Sequence, residues 1–196
     1  MKTISKNSSA KILVSKSQFY TYAYQVSSEE EVKNILQELR KKHKAANHIS
    51  YAYKITQIQN DEIEYLIRYD DDGEPSKTAG YPILQIIENL ELVNIVIFVA
   101  RIFGGIKLGT AGLYKAYGKG AKKVLEQTDL VTKEITKLIE IETSISQYSK
   151  LETFLKQNNI NYESSFSEKV LVKIYIPLKH KTLEEEINLL LQHNIL

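Results

Sequence analysis

Residues 94–103, Asn-Ile-Val-Ile-Phe-Val-Ala-Arg-Ile-Phe, form a nearly unbroken apolar run. A strand with one wet face alternates apolar and polar residues, whereas a continuous run marks a strand covered on both faces. The chain must therefore place other strands beside this one and pack further structure over it. The strongly apolar part, residues 95–100, is far shorter than the ~20 residues a membrane helix needs. At 196 residues, with 43% hydrophobic and 26% charged residues, the chain has the composition of one or two globular domains.

Backbone freedom is concentrated around this run. All eight glycines lie between Gly73 and Gly120, and the last 76 residues contain none. Pro75 and Pro82 fall in the same window. Charge is segregated there as well. Residues 61–74 hold seven acids against one base, Arg68, and residues 92–125 hold six bases and no acid. Overall the net charge is only +2, too small to indicate a nucleic-acid binder by itself. Residues 1–131 carry +3 and residues 132–196 carry −1, so any bias towards anions belongs to the first part.

Periodicity divides the chain into two units. Residues 18–26, with Phe19, Tyr20, Tyr22 and Tyr24, read as a strand. Ser28 and Glu31 form a capping-box signal, and Val32, Ile35, Leu36 and Leu39 predict a helix over 29–43. Alternation at Ile49, Tyr51, Tyr53 and Ile55, and again at Ile63, Tyr65, Ile67 and Tyr69, predicts a hairpin turning within 57–62. A loop over 70–78, a short helix from Pro82 to Leu90, the apolar strand and a loop over 104–109 follow. Thr110 is the expected N-cap of a helix to Gln127. Mixed strands and helices of this kind imply a two-layer α/β domain over 1–131. In 132–196 the order is strand (135–141), helix (around 148–155), strand (160–166), strand (170–176), helix (183–191). This βαββα order is that of a small ferredoxin-like domain. The class is thus α/β (α+β) throughout.

Several chemistries are excluded. With no cysteine there is no disulfide framework, thiol nucleophile, iron–sulfur cluster or thiolate zinc site. No G-x-G-x-x-G and no G-x-S-x-G occur. Gly105–Thr110 lacks the Lys-Ser/Thr pair of a phosphate loop. A calcium loop laid on Asp70, Asp72 and Gly73 puts Arg68 at its first ligand position and Ala79 at its last, so it fails. His43, His48, His180 and His193 have no metal-ligand spacing.

One constellation remains. A buried strand ends at Arg101, a double-glycine loop follows and a helix opens near Thr110. Free N–H groups at a helix start attract anions, and glycines let a phosphate approach the backbone. Lys107 lies in the loop, and Lys115, Lys119 and Lys122 share one helical face. Lysine outnumbers arginine 23 to 3, yet Arg68 and Arg101 border this region, where a guanidinium fork suits phosphate or carboxylate. The alternative is a solvated basic helix beside ordinary turns.

Three blocks carry a resemblance: Ala46-Asn47-His48-Ile49-Ser50-Tyr51-Ala52-Tyr53, then Asp71-Asp72-Gly73-Glu74-Pro75-Ser76-Lys77-Thr78-Ala79-Gly80-Tyr81-Pro82-Ile83-Leu84, then Arg101-Ile102-Phe103-Gly104-Gly105-Ile106-Lys107-Leu108-Gly109-Thr110-Ala111-Gly112-Leu113 with Ala116-Tyr117. They resemble, in order, the signatures of the YigZ/IMPACT family, with Lys77 where that family usually has glycine. The resemblance implies an N-terminal domain like the second domain of a small-subunit ribosomal protein, and a fold akin to the later domains of elongation factor G. It also implies a role in translation, because eukaryotic members are translational regulators in the amino-acid-starvation kinase pathway.

The expectation is a cytoplasmic binding protein that takes RNA or a ribosome-associated partner, not a membrane protein, and that uses no cofactor. Its proposed surface is His48, Arg68, Asp71, Asp72, Glu74, Thr78, Arg101, Gly104, Gly105, Lys107, Thr110 and Lys115. Backbone N–H groups of 104–110 would hold phosphate, and the acidic turn would orient Arg101 or Lys107, or hold a metal. No metal-ligand set is assigned. The alternatives are a small-molecule enzyme using His48 with an acidic partner, and a pure protein-interaction module.

Overall fold

The apolar run becomes the middle strand of a five-stranded sheet. A computed structural model of the chain describes residues 1–59, 62–178, 180 and 182–192. The first compact unit, Met1–Lys133, runs β1 (Lys2–Ile4), β2 (Ser8–Val14), β3 (Ser17–Gln25), α1 (Glu29–Lys42), β4 (His48–Gln59), β5 (Glu62–Asp70), α2 (Gly80–Asn89), β6 (Ile95–Ile102), α3 (Gly109–Leu125) and β7 (Leu130–Thr132). Sheet order is β2-β3-β6-β4-β5, with every pair antiparallel. β1 and β7 pair separately and bring the two ends of the unit together.

β6 shows why its sequence is apolar throughout. Ile95, Ile97 and Val99 join Ile83 and Ile87 of α2 and Leu113, Tyr117 and Val124 of α3 in one core. The intervening Val96, Phe98 and Ala100 join Tyr22, Tyr53 and the α1 residues Val32 and Leu39 in another. All six β6 side chains are fully buried, and each larger one contributes roughly 1.5–3 kcal/mol by leaving water. The α/β class holds. α1 covers the face opposite α2 and α3, adding a layer to the two expected.

Local signals carry over with two shifts. Ser28 Oγ accepts from the Glu31 N–H at 3.2 Å and caps α1, but the Glu31 carboxylate reaches back to the Ser27 N–H rather than to Ser28. α2 begins at Gly80, two residues before Pro82. The β4–β5 hairpin forms as expected, its pairing running to Gln59 and Glu62; residues 60 and 61 between them lie outside the described residues, as does residue 193. β2 was not expected. It is joined to β3 through Ser15 and Lys16, both left-handed at φ 46° and 66°. A two-residue hairpin of this sort normally announces itself with Asn or Gly, and Ser-Lys does not.

The second compact unit is Glu134–Leu196. It contains β8 (Thr136–Thr143), α4 (Ile145–Gln157), β9 (Asn161–Phe166), β10 (Val170–Pro177) and α5 (Leu183–Gln192). Sheet order β8-β10-β9, antiparallel, is the ferredoxin-like arrangement. Leu151 and Leu155 of α4 and Ile187 of α5 pack on Val172 and Ile174.

Candidate functional site

The acidic turn after β5 spends its carboxylates on its own chain. Asp71 accepts the Lys77 N–H at 2.8 Å through Oδ2, and the Ala79 and Gly80 N–H groups at 3.0 and 2.8 Å through Oδ1. It thereby caps α2, whose N-cap residue, Ala79, has no polar side chain. Asp72 takes the Arg40 guanidinium at 2.7 Å and the Ile49 N–H at 2.6 Å. Thr78 donates its hydroxyl to the Pro75 carbonyl at 2.6 Å. Asp71, Asp72 and Thr78, expected to meet a ligand, are therefore occupied in shaping the turn. Among the described residues no group of three or more His, Asp or Glu side chains is placed to hold a metal.

Glu74 differs from its neighbours because it points inward. Its Oε1 lies 2.7 Å from Arg101 Nη1 and 2.8 Å from the Tyr117 hydroxyl, which donates to it. Tyr117 comes from α3, so turn, strand and helix meet at one carboxylate. Burial, with the Glu74 charge beside it, pushes the Tyr117 phenol well above the usual range and keeps it a donor. Arg101 is 6% exposed. The Phe19 and Phe103 rings flank its guanidinium, 5.8 and 5.4 Å from their centroids. Its Nε is buried without a hydrogen-bond partner. Of the acids in the turn, Glu74 is the one that meets Arg101.

A cleft of about 410 Å³ opens over this pair. Asn47, His48, Glu74, Pro75 and Arg101 line one part; Phe103, Lys107, Leu108, Gly109, Thr110 and Leu113 line the rest. His48 Nδ1 lies 2.7 Å from the Asp72 carbonyl oxygen, so Nδ1 carries a proton and donates it there. Its partner is a main-chain carbonyl, not the carboxylate that an acid/base pair would require. Thr110 is the second residue of α3 rather than its N-cap. The capping position falls on Leu108, whose side chain has no hydrogen-bond acceptor. The first N–H groups of α3 thus border the cleft without a side-chain cap.

Other expected residues lie elsewhere or do other work. Arg68 is opposite Tyr53 on β4, five residues along from His48, roughly 17 Å at the usual rise per strand residue. There it pairs with Glu29 at 3.3 Å, away from the cleft. Gly104 donates its N–H to Ser17 Oγ at 3.2 Å, so that group is not free for phosphate. A Cβ on Gly104 would fall on the Lys16 carbonyl. Gly105, at φ +87°, turns the loop in open space. Lys115 is exposed on α3 beyond the cleft, as are Lys119 and Lys122.

The Impact N-terminal domain model matches residues 15–125, the stretch that holds four of the five sheet strands, the acidic turn and every residue of the cleft. This chain belongs to the IMPACT family. It is 33% identical over 178 residues to IMPACT family member YvyE of Bacillus subtilis (strain 168), covering 90% of this chain and 80% of that protein. It is 32% identical over 167 residues to IMPACT family member YigZ of Escherichia coli (strain K12), covering 84% and 79%. A crystal structure of a hypothetical protein superposes with a TM-score of 0.69 at 27% identity, over 91% of this chain and 86% of that one.

In this IMPACT-family chain Lys77 adopts φ +62°, the left-handed conformation that glycine takes at no steric cost. Six cleft residues, Asn47, Pro75, Phe103, Leu108, Gly109 and Leu113, lie outside the surface expected from the sequence. Phe103 had a signal, since it is the apolar residue beside the double glycine, exposed where the strand leaves the core. Tyr117 had only its place in the third block, because it falls on the apolar stripe of α3 and the carboxylate that its hydroxyl meets lies 43 residues away. Among the described residues no helix is long and apolar enough to cross a membrane.

Proposed function

We propose that this IMPACT-family protein is a translation-linked binding protein that holds RNA, alone or on a ribosomal particle, through its phosphates. One observation carries the reading: a buried arginine, fixed by Glu74 and with its Nε unpartnered, lines the same cleft as the uncapped start of α3. A carboxylate-oriented guanidinium beside free helix N–H groups suits a tetrahedral oxyanion. Lys107 at the cleft and the exposed Lys115, Lys119 and Lys122 add charge on a stretch that contains no acid. Contacts of this kind position a nucleic acid without reading its bases.

The test is RNA affinity against salt concentration for the wild type, for Lys107→Gln and for the triple Lys115→Gln, Lys119→Gln, Lys122→Gln variant. Each lost phosphate contact should reduce the slope of log affinity on log salt by about 0.7–1. The triple variant should bind every RNA more weakly by a similar factor. Absence of salt-dependent binding of the wild type to any RNA or ribosomal particle overturns the proposal.

A further inference from the structure

The cleft has a polar floor and an apolar rim. Arg101 forms the floor, with Nη1 engaged by Glu74 and Nε buried without a partner. Leaving that buried donor idle costs free energy, and an oxygen brought to it removes that cost. Lys107, Gly109 and Thr110, at the start of α3, line the same cleft. On the rim, the Phe103 ring centroid lies 5.4 Å from the guanidinium carbon, and the residue is 43% exposed.

These features discriminate between kinds of phosphate. An internal phosphodiester carries a ribose on each side, and a guanidinium whose side chain is 7% exposed is out of reach of a group so flanked. A terminal phosphate has three free oxygens and one attachment, and can enter end-on. The about 410 Å³ of the cleft is in the range of small-molecule sites, and an exposed aromatic ring is a platform for a base. Because Glu74 already balances the charge of Arg101, the arginine acts here as a hydrogen-bond donor, and Lys107 supplies the net charge.

We infer that the cleft is a site for a nucleoside monophosphate, free or at the end of an RNA chain, with its phosphate on Arg101, Lys107 and the start of α3 and its base on Phe103. This rests on the proposal that the cleft holds phosphate, and narrows it from internal phosphates to a terminal one.

The experiment uses the full chain with AMP, adenosine and inorganic phosphate, measured by calorimetry. It also uses one single-stranded RNA sequence with a 5′-phosphate, a 3′-phosphate or hydroxyls at both ends, measured by anisotropy. AMP should bind at least about tenfold more tightly than adenosine, the worth of one charge-assisted hydrogen bond. One phosphorylated RNA should exceed the hydroxyl-ended RNA by a similar factor, and AMP should compete that excess away. Phe103→Ala, at an exposed position, should weaken AMP about tenfold and leave inorganic phosphate unchanged. Lys107→Gln should weaken both. If AMP binds no better than adenosine and the three RNAs bind alike, the inference is overturned, while salt-dependent RNA binding would still stand. If AMP binds as described and no RNA does, the site is one for free nucleotide and the RNA proposal fails instead.

Discussion

Glu74 and Arg101, 27 residues apart in sequence, meet at 2.7 Å with both side chains more than nine-tenths buried. The pair ties the acidic turn to the end of the central strand, and Tyr117 adds α3 to the same carboxylate. Removing one partner of a buried ion pair leaves the other charge uncompensated, at a cost of about 3–5 kcal/mol. Glu74→Gln should therefore lower stability by about that amount in urea unfolding. Tyr117→Phe, which removes one donor and keeps the ion pair, should cost less, about 1–3 kcal/mol. Equal, small losses for the two variants would show that the pair does not hold the turn.

Gly104 and Gly105 are adjacent, but they are glycine for different reasons. A Cβ at Gly104 collides with the backbone of Lys16, which cannot swing aside as a side chain could. At Gly105 a Cβ enters open space, and the only cost is the left-handed backbone. Gly105→Ala should lose about 1–2 kcal/mol. Gly104→Ala should lose more, because the β2–β3 turn must move. Thermal unfolding of the two variants checks the order.

Lys77 holds a left-handed conformation that costs a side-chain-bearing residue about 1–2 kcal/mol. Lys77→Gly removes that strain and returns part of the gain as extra entropy of the unfolded chain. A net stabilisation of up to about 1 kcal/mol is expected in urea unfolding. A destabilised variant would mean that the Lys77 ammonium, 5.9 Å from the Tyr81 ring centroid, matters more than the backbone.

His43 Nε2 lies 2.7 Å from the Tyr22 hydroxyl. Burial, with Lys42 adding a smaller push, lowers its pKa below the ordinary histidine value of 6.5. The unfolded chain then binds the proton more readily, so this contribution is whole above about pH 6.5 and is lost as pH falls through the folded-state value. Urea midpoints at pH 7.5 and 5.5 should fall for the wild type and change less for His43→Gln.

Much of this was written locally. Helical spacing at Val32, Ile35, Leu36 and Leu39 sufficed for α1, and strict alternation sufficed for the β4–β5 hairpin. The apolar run announced β6 as a strand covered on both faces, and three contiguous blocks of sequence pointed to the family. Each of these signals lies within a few residues of its effect. β2 and its Ser15-Lys16 turn broke no pattern and so gave no notice.

Tertiary structure decided what each charged residue does. In sequence, Asp71, Asp72 and Glu74 are three acids in one turn. In the fold one caps α2, one takes Arg40 and the Ile49 N–H, and one is buried against Arg101. Arg68 and Arg101 both flank the glycine-rich region, yet the first faces Glu29 across an exposed strand and the second lies under a cleft. Periodicity along the chain records which face of an element is apolar, because that depends on neighbours three or four residues away. The strength and purpose of an ion pair depend on burial and on partners tens of residues distant, which only the packed sheet and helices bring within reach.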